Sequence, residues 1–492
     1  MLINLGAGKM NISEAAACCG GYVVGPRDAF FEGICTDSRE AKANILFVAL
    51  RGEKSDGHNY IPTACKVGCN CVIAERHDAL IPEGVSALIV PDSQAALADI
   101  AAAYRMRLQC RRVAVTGSVG KTTTKEFVSA VLSEKYKTHK TRGNYNSLIG
   151  MPLSLLETPA DSEIAVLEMA MSSFGEIEKM SLITHPDVAL ITNIGSAHME
   201  MLGSRENICR AKFEIMTGLE PGGTLILNGD EPMMLNYPGK PENTLYVALC
   251  NIDSDFFAHN IRSDDEGCLF DISAGGQEFC DIRIPALGYH NVYAATFAWA
   301  VGTVFSMSED EIRRGLLEYR SADMRQKIYG LAGITVIEDC YNASPESMRA
   351  AIDVLCGLKA NRQSAAGVSA GGEIRGISSG KASCRSVALL GDMRELGINS
   401  EMYHRSVGAY AAERGIDLLF TLGSLARGIA AGALAAGMSD DNIFVNIDEN
   451  TYAATAAELA GTLREGDILL LKASRALQAE RVLGSLREIY KV

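Results

Sequence analysis

Positive charge is scarce in this chain: 46 Lys and Arg stand against 60 Asp and Glu, a formal charge of −14. Duplex nucleic acid is thereby excluded as a general partner, because its phosphates must be neutralised by clustered Lys and Arg. A local anion pocket is still allowed, since backbone amides at a helix N-terminus need no net charge. No apolar run approaches the ~20 residues of a membrane span, and MLINLGAGKM lacks the basic-then-apolar order of a secretion signal. A cytoplasmic protein without a membrane span is expected. There is no CxxC pair among the 14 cysteines, and no His or fourth Cys completes a zinc set around Cys65, Cys69 and Cys71. The pattern reads as scattered buried thiols in a reducing compartment.

What is present is the composition of a globular enzyme, 48% hydrophobic and 22% charged, in a chain of 492 residues that is too long for one core. Asn11, with Glu14 three residues on, reads as a helix cap and marks Met10 as an alternative start. Residues 1–108 mix short strands (ILFVAL, CVIAE) with glycine turns and end in the helical run SQAALADIAAAYRMRL. From 109 to 322 the texture is α/β. The runs RRVAVTG, AVLEMA, DVALITNIG and GTLILNGDEP read as strands buried on both faces of a parallel sheet. An antiparallel excursion near 253–285 and the helix HNVYAATFAWAVGTVF follow. Residues 323–492 repeat the strand–helix alternation of a doubly wound sheet, with Ser344 as cap and Pro345 as first residue of a helix. Within it, 361–385 are rich in Gly, Ser and Ala without period and read as a flexible surface insertion.

The chemistry starts at TGSVGKTTTKE, residues 116–126. A standard phosphate loop carries a further glycine five residues before Gly120, where this chain has Val115. The context is nonetheless right: a strand precedes and a helix follows. Gly117 and Gly120 can adopt positive φ, Lys121 can place a charge on the phosphates and Thr122 a hydroxyl on Mg²⁺. Other polar residues are ambiguous alone. Glu168 ends a strand, where α/β sheets place ligand groups, or is a solvated carboxylate. His198 follows another strand, Lys212 sits on a helix that could simply face water, and Asp339 and Asn342 could hold a nucleotide or form a turn.

TGSVGKTTTKE, the runs GNYNSLIGMPLSLL and EMAMSSFGEI, and NIGSAHMEMLGS together resemble the Mur ligase family. The phosphate loop alone would equally suit folylpolyglutamate synthases. TTTKE and IEDCYNASPESM are similar to the branch that adds a dipeptide, and the DNPR motif of the third-residue-adding branch is absent. TDSRE and LFVALRGEKSDGHNYI resemble the family's domain for the uridine-nucleotide sugar. The likeness implies three α/β domains: a substrate domain, a central P-loop ATPase-like parallel sheet and a C-terminal Rossmann-like sheet. It also implies ATP-dependent joining of D-alanyl-D-alanine to a UDP-N-acetylmuramoyl-tripeptide through an acyl phosphate, in a monomer.

Residue by residue, the resemblance puts Thr116, Gly117, Ser118, Val119, Gly120, Lys121, Thr122 and Thr123 on ATP. Thr122, Glu168, His198 and Lys212 would serve two Mg²⁺, the last as a carbamate. Asn291 would contact adenine; Arg325, Asp339 and Asn342 would reach the nucleotide from the C-terminal domain. Ser38 and Arg39 fall in the uridine region, and Lys472 and Ser474 beside the incoming amine. Four positions depart from the family pattern: Ala294, Ser147 and Ser344 replace family asparagines, and Ala473 replaces a glycine. Two rival readings are a ligase adding the third residue and a nucleotide-binding scaffold whose catalysis these departures weaken.

Overall fold

A computed structural model of the chain describes residues 1–52, 55–76, 80–368, 384–448 and 451–491. Three sheets organise it. The first has six strands in the order Leu2–Asn4, Gly33–Cys35, Ile45–Val48, Cys71–Ala74, Ser86–Ile89, Tyr22–Val24. Its inner four are parallel and both edges antiparallel. Asn11 caps the helix Ile12–Cys19 by accepting from the Ser13 amide, while Glu14 pairs with Arg107. The helix Ser93–Arg105, capped by Asp92, closes one face. Its Tyr104 hydroxyl accepts from the Ala7 amide at 2.7 Å and donates to the Gly8 carbonyl at 3.1 Å, pinning the first strand's exit.

The central sheet has nine strands. Thr138–Lys140, Ile164–Glu168, Arg111–Thr116, Val188–Ile191, Thr224–Asn228, Thr244–Ala248 and Phe256–Ser263 are parallel neighbours in that order. Cys268–Ala274 and Gln277–Ile284 then complete it antiparallel, the excursion expected from the sequence. Every residue of Ile164–Glu168 and Val188–Ile191 is buried, which is why these strands read as unbroken apolar runs. Helix Lys121–Ser133 packs under helix Tyr289–Val304, and Phe127 stacks on Tyr319 with ring centres 3.7 Å apart.

The third sheet runs Lys327–Leu331, Ile334–Glu338, Ile468–Lys472, Ser386–Gly391, Leu418–Leu422, Ile443–Asn446, parallel apart from its first strand. Separate apolar clusters cover its two faces, as in a doubly wound fold. Ser344 caps the helix Pro345–Val368 by accepting from the Ser347 amide at 3.3 Å. That helix corrects the reading of 361–385: its first eight residues continue the helix, with Asn361 donating to the Ser263 carbonyl and Arg362 to the Thr335 hydroxyl. Arg362, Gln363, Ala365 and Ala366 are good helix formers, and a helix can continue there without an apolar stripe. Residues 369–383 lie outside the described residues. Burial pushes the Cys35 and Cys71 thiols up to about 12, so they are inert. Among the described residues no helix is long and apolar enough to cross a membrane.

Candidate functional site

The strand Arg111–Thr116 ends at the loop 117–120, and the chain turns at once into the helix Lys121–Ser133. The backbone at Gly117 (φ 152°) favours glycine: a Cβ there would lie 1.9 Å from Thr192 Oγ1 and force that side chain to move. Gly120 (φ 81°) starts the helix. The Ser118 amide donates to the Asn193 carbonyl at 3.1 Å and the Val119 amide to Asn193 Oδ1 at 2.9 Å. The loop is thus held from the neighbouring strand end, a support that the extra glycine of a longer loop does not supply. The first-turn amides have no intrahelical acceptor and face a cavity of about 540 Å³ lined by Gly120, Lys121, Thr122 and Thr123. Lys121 Nζ rests on the Gly117 and Ser118 carbonyls at 2.7 and 3.1 Å. Burial pulls its pKa down to about 8, with Glu168 opposing and Arg325 adding to the shift.

Glu168, at the end of the next strand, is 1% exposed, which removes the reading of a solvated carboxylate. The Thr122 hydroxyl lies 3.1 and 2.9 Å from its two oxygens, and Asn146 Nδ2 donates to Oε1 at 2.7 Å. Lys125 Nζ is 3.8 Å from Oε2. A hydroxyl and a carboxylate side by side at the helix start are hard oxygen donors, the set that suits Mg²⁺.

The opposite wall comes from the C-terminal domain. Arg325 lies 4.1 Å above the Tyr341 ring, and Lys472 is buried against Asp339 Oδ2 at 2.6 Å and the Asn342 carbonyl at 3.2 Å. Asn342 Oδ1 accepts from the Ala343 amide at 2.9 Å, a local turn contact. Two carboxylates cross between domains. Glu346 Oε1 accepts from the Ser196 amide and hydroxyl, both at 2.8 Å, and Glu395 Oε2 meets His198 Nδ1 at 2.7 Å. His198 itself holds a left-handed φ of 63° at the start of a helical turn.

The structure gathers Ser118 to Thr123, Glu168, His198, Asn291, Arg325, Asp339, Asn342 and Lys472 around one cavity, and Ala294 lies on the same wall. Thr116 is buried beneath it, its hydroxyl donating to the Met169 carbonyl at 2.8 Å. The Asn291 amide is directed inward, donating to the Leu287 carbonyl and to Gln326. Besides Thr116 and Gly117, four assigned residues do not line the cavity. Ser38 and exposed Arg39 lie in a turn of the first domain, with Arg39 paired to Asp37 at 2.5 Å. Ser474 Oγ accepts from the Arg394 amide at 3.1 Å, so it shapes the wall from behind. Lys212 is 2% exposed on the helix Arg205–Phe213, not water-facing; burial, with Lys121 nearby, holds its amine well below the usual lysine range.

Sequence reasoning assigned no role to Lys125, Asn146, Glu346 or Glu395. The first two lie inside the quoted motifs TTTKE and GNYN, so the signal was present without a partner to interpret it. The two glutamates act only across a domain junction, which no local pattern announces.

Comparison with known proteins adds three family matches: the Mur ligase family catalytic domain over residues 31–105, the Mur ligase middle domain over 115–302, and the Mur ligase glutamate ligase domain over 373–475. A UDP-N-acetylmuramoyl-tripeptide–D-alanyl-D-alanine ligase of Bacillus subtilis is 36% identical over 98% of this chain and 99% of its own. A Synechocystis protein of the same name is 33% identical over 93% and 92%. Among solved structures, MurF from Acinetobacter baumannii superposes with a TM-score of 0.83 at 30% identity, covering 99% of both chains. MurF ligase from Thermotoga maritima in complex with ADP gives 0.78 at 27% identity, over 93% of this chain and 97% of that one.

Proposed function

The chain belongs to the Mur ligase family, and from that premise we propose that it joins D-alanyl-D-alanine to UDP-N-acetylmuramoyl-tripeptide at the expense of ATP, forming the pentapeptide precursor of peptidoglycan. Relatives bearing that ligase name over nearly the whole chain support the reading, and the ADP-bound relative supports nucleotide use. The observation that carries it is the single cavity where the amide-rich helix start and the Thr122–Glu168 pair face Arg325, Asp339 and Lys472 of another domain. A phosphate site and a second reactant's site must meet in this way if an activated carboxylate is to be passed to an amine.

Joining an amine to a carboxylate in water is uphill, so the tripeptide carboxylate takes the terminal phosphoryl group of ATP before the dipeptide amine attacks and phosphate leaves. Little covalent work falls to the protein; positioning and charge neutralisation dominate. The helix-start amides and Lys121 hold the phosphates. Lys121, which rests on two carbonyls of the loop, would exchange them for phosphate oxygens. Thr122, with Glu168 beside it, would hold one Mg²⁺, and Glu168 with His198 and a carbamylated Lys212 a second; when bound, these ions would offset the repulsion between the two anions that react. A neutral amine is the form that takes up CO₂, and the depressed Lys212 amine supports that modification. Arg325, Asp339 and Asn342 would touch the nucleotide, Lys472 and Ser474 would order the wall beside the incoming amine, and Ser38 and Arg39 would meet the uridine end. Docking of the C-terminal domain through Glu346 and Glu395 keeps water from the acyl phosphate.

The test is ADP release coupled to a reporter, with UDP-N-acetylmuramoyl-tripeptide and either D-alanyl-D-alanine or single amino acids. Release with the dipeptide alone is expected. Release with lysine or diaminopimelate instead would assign the third-residue reaction, and no release with any pair would leave a scaffold.

A further inference from the structure

We infer that Lys125 is an internal counter-ion to Glu168, balancing that carboxylate while no divalent cation is bound and thereby setting how weakly the cation is held before nucleotide arrives. The inference rests on the reading of Thr122 and Glu168 as a cation site. Lys125 lies one turn after Lys121 on the phosphate-loop helix, yet does not line the cavity. It is 1% exposed, and a lysine is almost never so buried unless paired. Its ammonium donates to the Thr141 carbonyl at 2.8 Å and lies 3.0 Å from Glu126 Oε1 and 3.8 Å from Glu168 Oε2. Glu126 is paired on its other side with Lys140.

Ion pairs link four charges, two cations, Lys125 and Lys140, and two anions, Glu126 and Glu168, and Lys121 acts on Glu168 from outside this set. The set of four is neutral with no metal present. Without Lys125, Glu168 would lose the one ammonium paired with it and keep only the influence of Lys121, which rests on the Gly117 and Ser118 carbonyls, a strongly unfavourable arrangement for a buried carboxylate. Orientation is not what the ammonium supplies, because Thr122 and Asn146 already hold both carboxylate oxygens. What it supplies is charge. A divalent cation arriving at Glu168 must therefore share the carboxylate with a fixed positive group a few ångströms away. The negative triphosphate offsets that repulsion, so cation and nucleotide are bound together rather than the cation first.

The experiment is thermal unfolding of the nucleotide-free full chain across a Mg²⁺ titration, comparing the parent with Lys125→Met and Lys125→Arg. Lys125→Met is expected to melt lower than the parent without metal and to regain stability with a Mg²⁺ midpoint roughly tenfold or more below the parental one. Lys125→Arg, which keeps the charge, is expected to keep the parental midpoint. A Lys125→Met protein that melts lower by the same amount at every Mg²⁺ concentration overturns the inference, since lost packing alone has that signature, and leaves the cation site standing. If Mg²⁺ shifts neither protein, even with ADP, the cation reading of Thr122 and Glu168 fails and this inference with it. Should Lys125→Met not fold without metal, refolding in Mg²⁺ decides: recovery supports the counter-ion role and no recovery overturns it.

Discussion

On the central-domain side of the cavity, Glu168 and Thr122 in the wall and Lys125 behind it are at most 5% exposed and are held by one another and by Asn146 and Thr141 of the same domain. On the C-terminal wall, the contacts that reach across are of another kind. Glu395, whose side chain is 61% exposed, meets His198, and Glu346 reaches the Ser196 backbone. Buried, mutually satisfied polar groups stay in place whether or not substrate is present, whereas an exposed ion pair is worth only about 0–1 kcal/mol. The central-domain half is thus preorganised, whereas the Glu395–His198 pair that reaches across from the C-terminal domain is of the exposed, weak kind.

The comparison predicts losses that fall off from the first wall to the second. Lys121→Ala should lower kcat by two to three orders of magnitude, the scale of one strong electrostatic donor; near-normal turnover would refute its role on the phosphates. Lys212→Ala should cost roughly a hundredfold if it carries a metal-ligating carbamate, and short carboxylic acids should return part of that activity. No rescue, with an unmodified lysine found in bicarbonate-grown crystals, would count against the modification.

The pH dependence is smaller per step. A lysine with its pKa lowered to about 8 loses its charge as pH rises, so kcat/KM for ATP should fall about tenfold per unit above pH 8. A fall beginning only near the ordinary lysine value would mean that Lys121 is not desolvated in the free enzyme. Because the folded-state value lies below the unfolded one, the same group makes folding more favourable as pH climbs from about 8 toward 10.5.

Across the junction, Glu346→Gln and Glu395→Gln should each raise KM for ATP only several-fold with kcat nearly kept. A hundredfold loss of kcat in either would show that the docking contacts take part in the chemistry. Removing 369–383, while sparing the helical residues up to Val368, should leave turnover unchanged; a folded but inactive product would place that segment in the site.

Much of this site is legible in the linear chain because its groups sit where strands become loops. Glu168 ends a buried strand, and Lys121 and Thr122 open the helix after another. These positions follow from unbroken apolar runs and a glycine turn, both visible locally. Lys212 shows the limit: helical spacing gives no sign that its face is covered, and only the packed structure shows an amine with almost no solvent. The helix Pro345–Val368 likewise runs further than the sequence predicts, because its later turns carry no apolar stripe.

Local pattern, then, suffices for the order of strands and helices, the phosphate turn and the family, since hydrophobic period and turn chemistry act over a few residues. It could not reveal that Lys125 is buried against Glu168 or that Glu346 meets Ser196, 150 residues away. Charge balance inside a protein depends on which groups are excluded from water together, and folding alone brings those groups into one place.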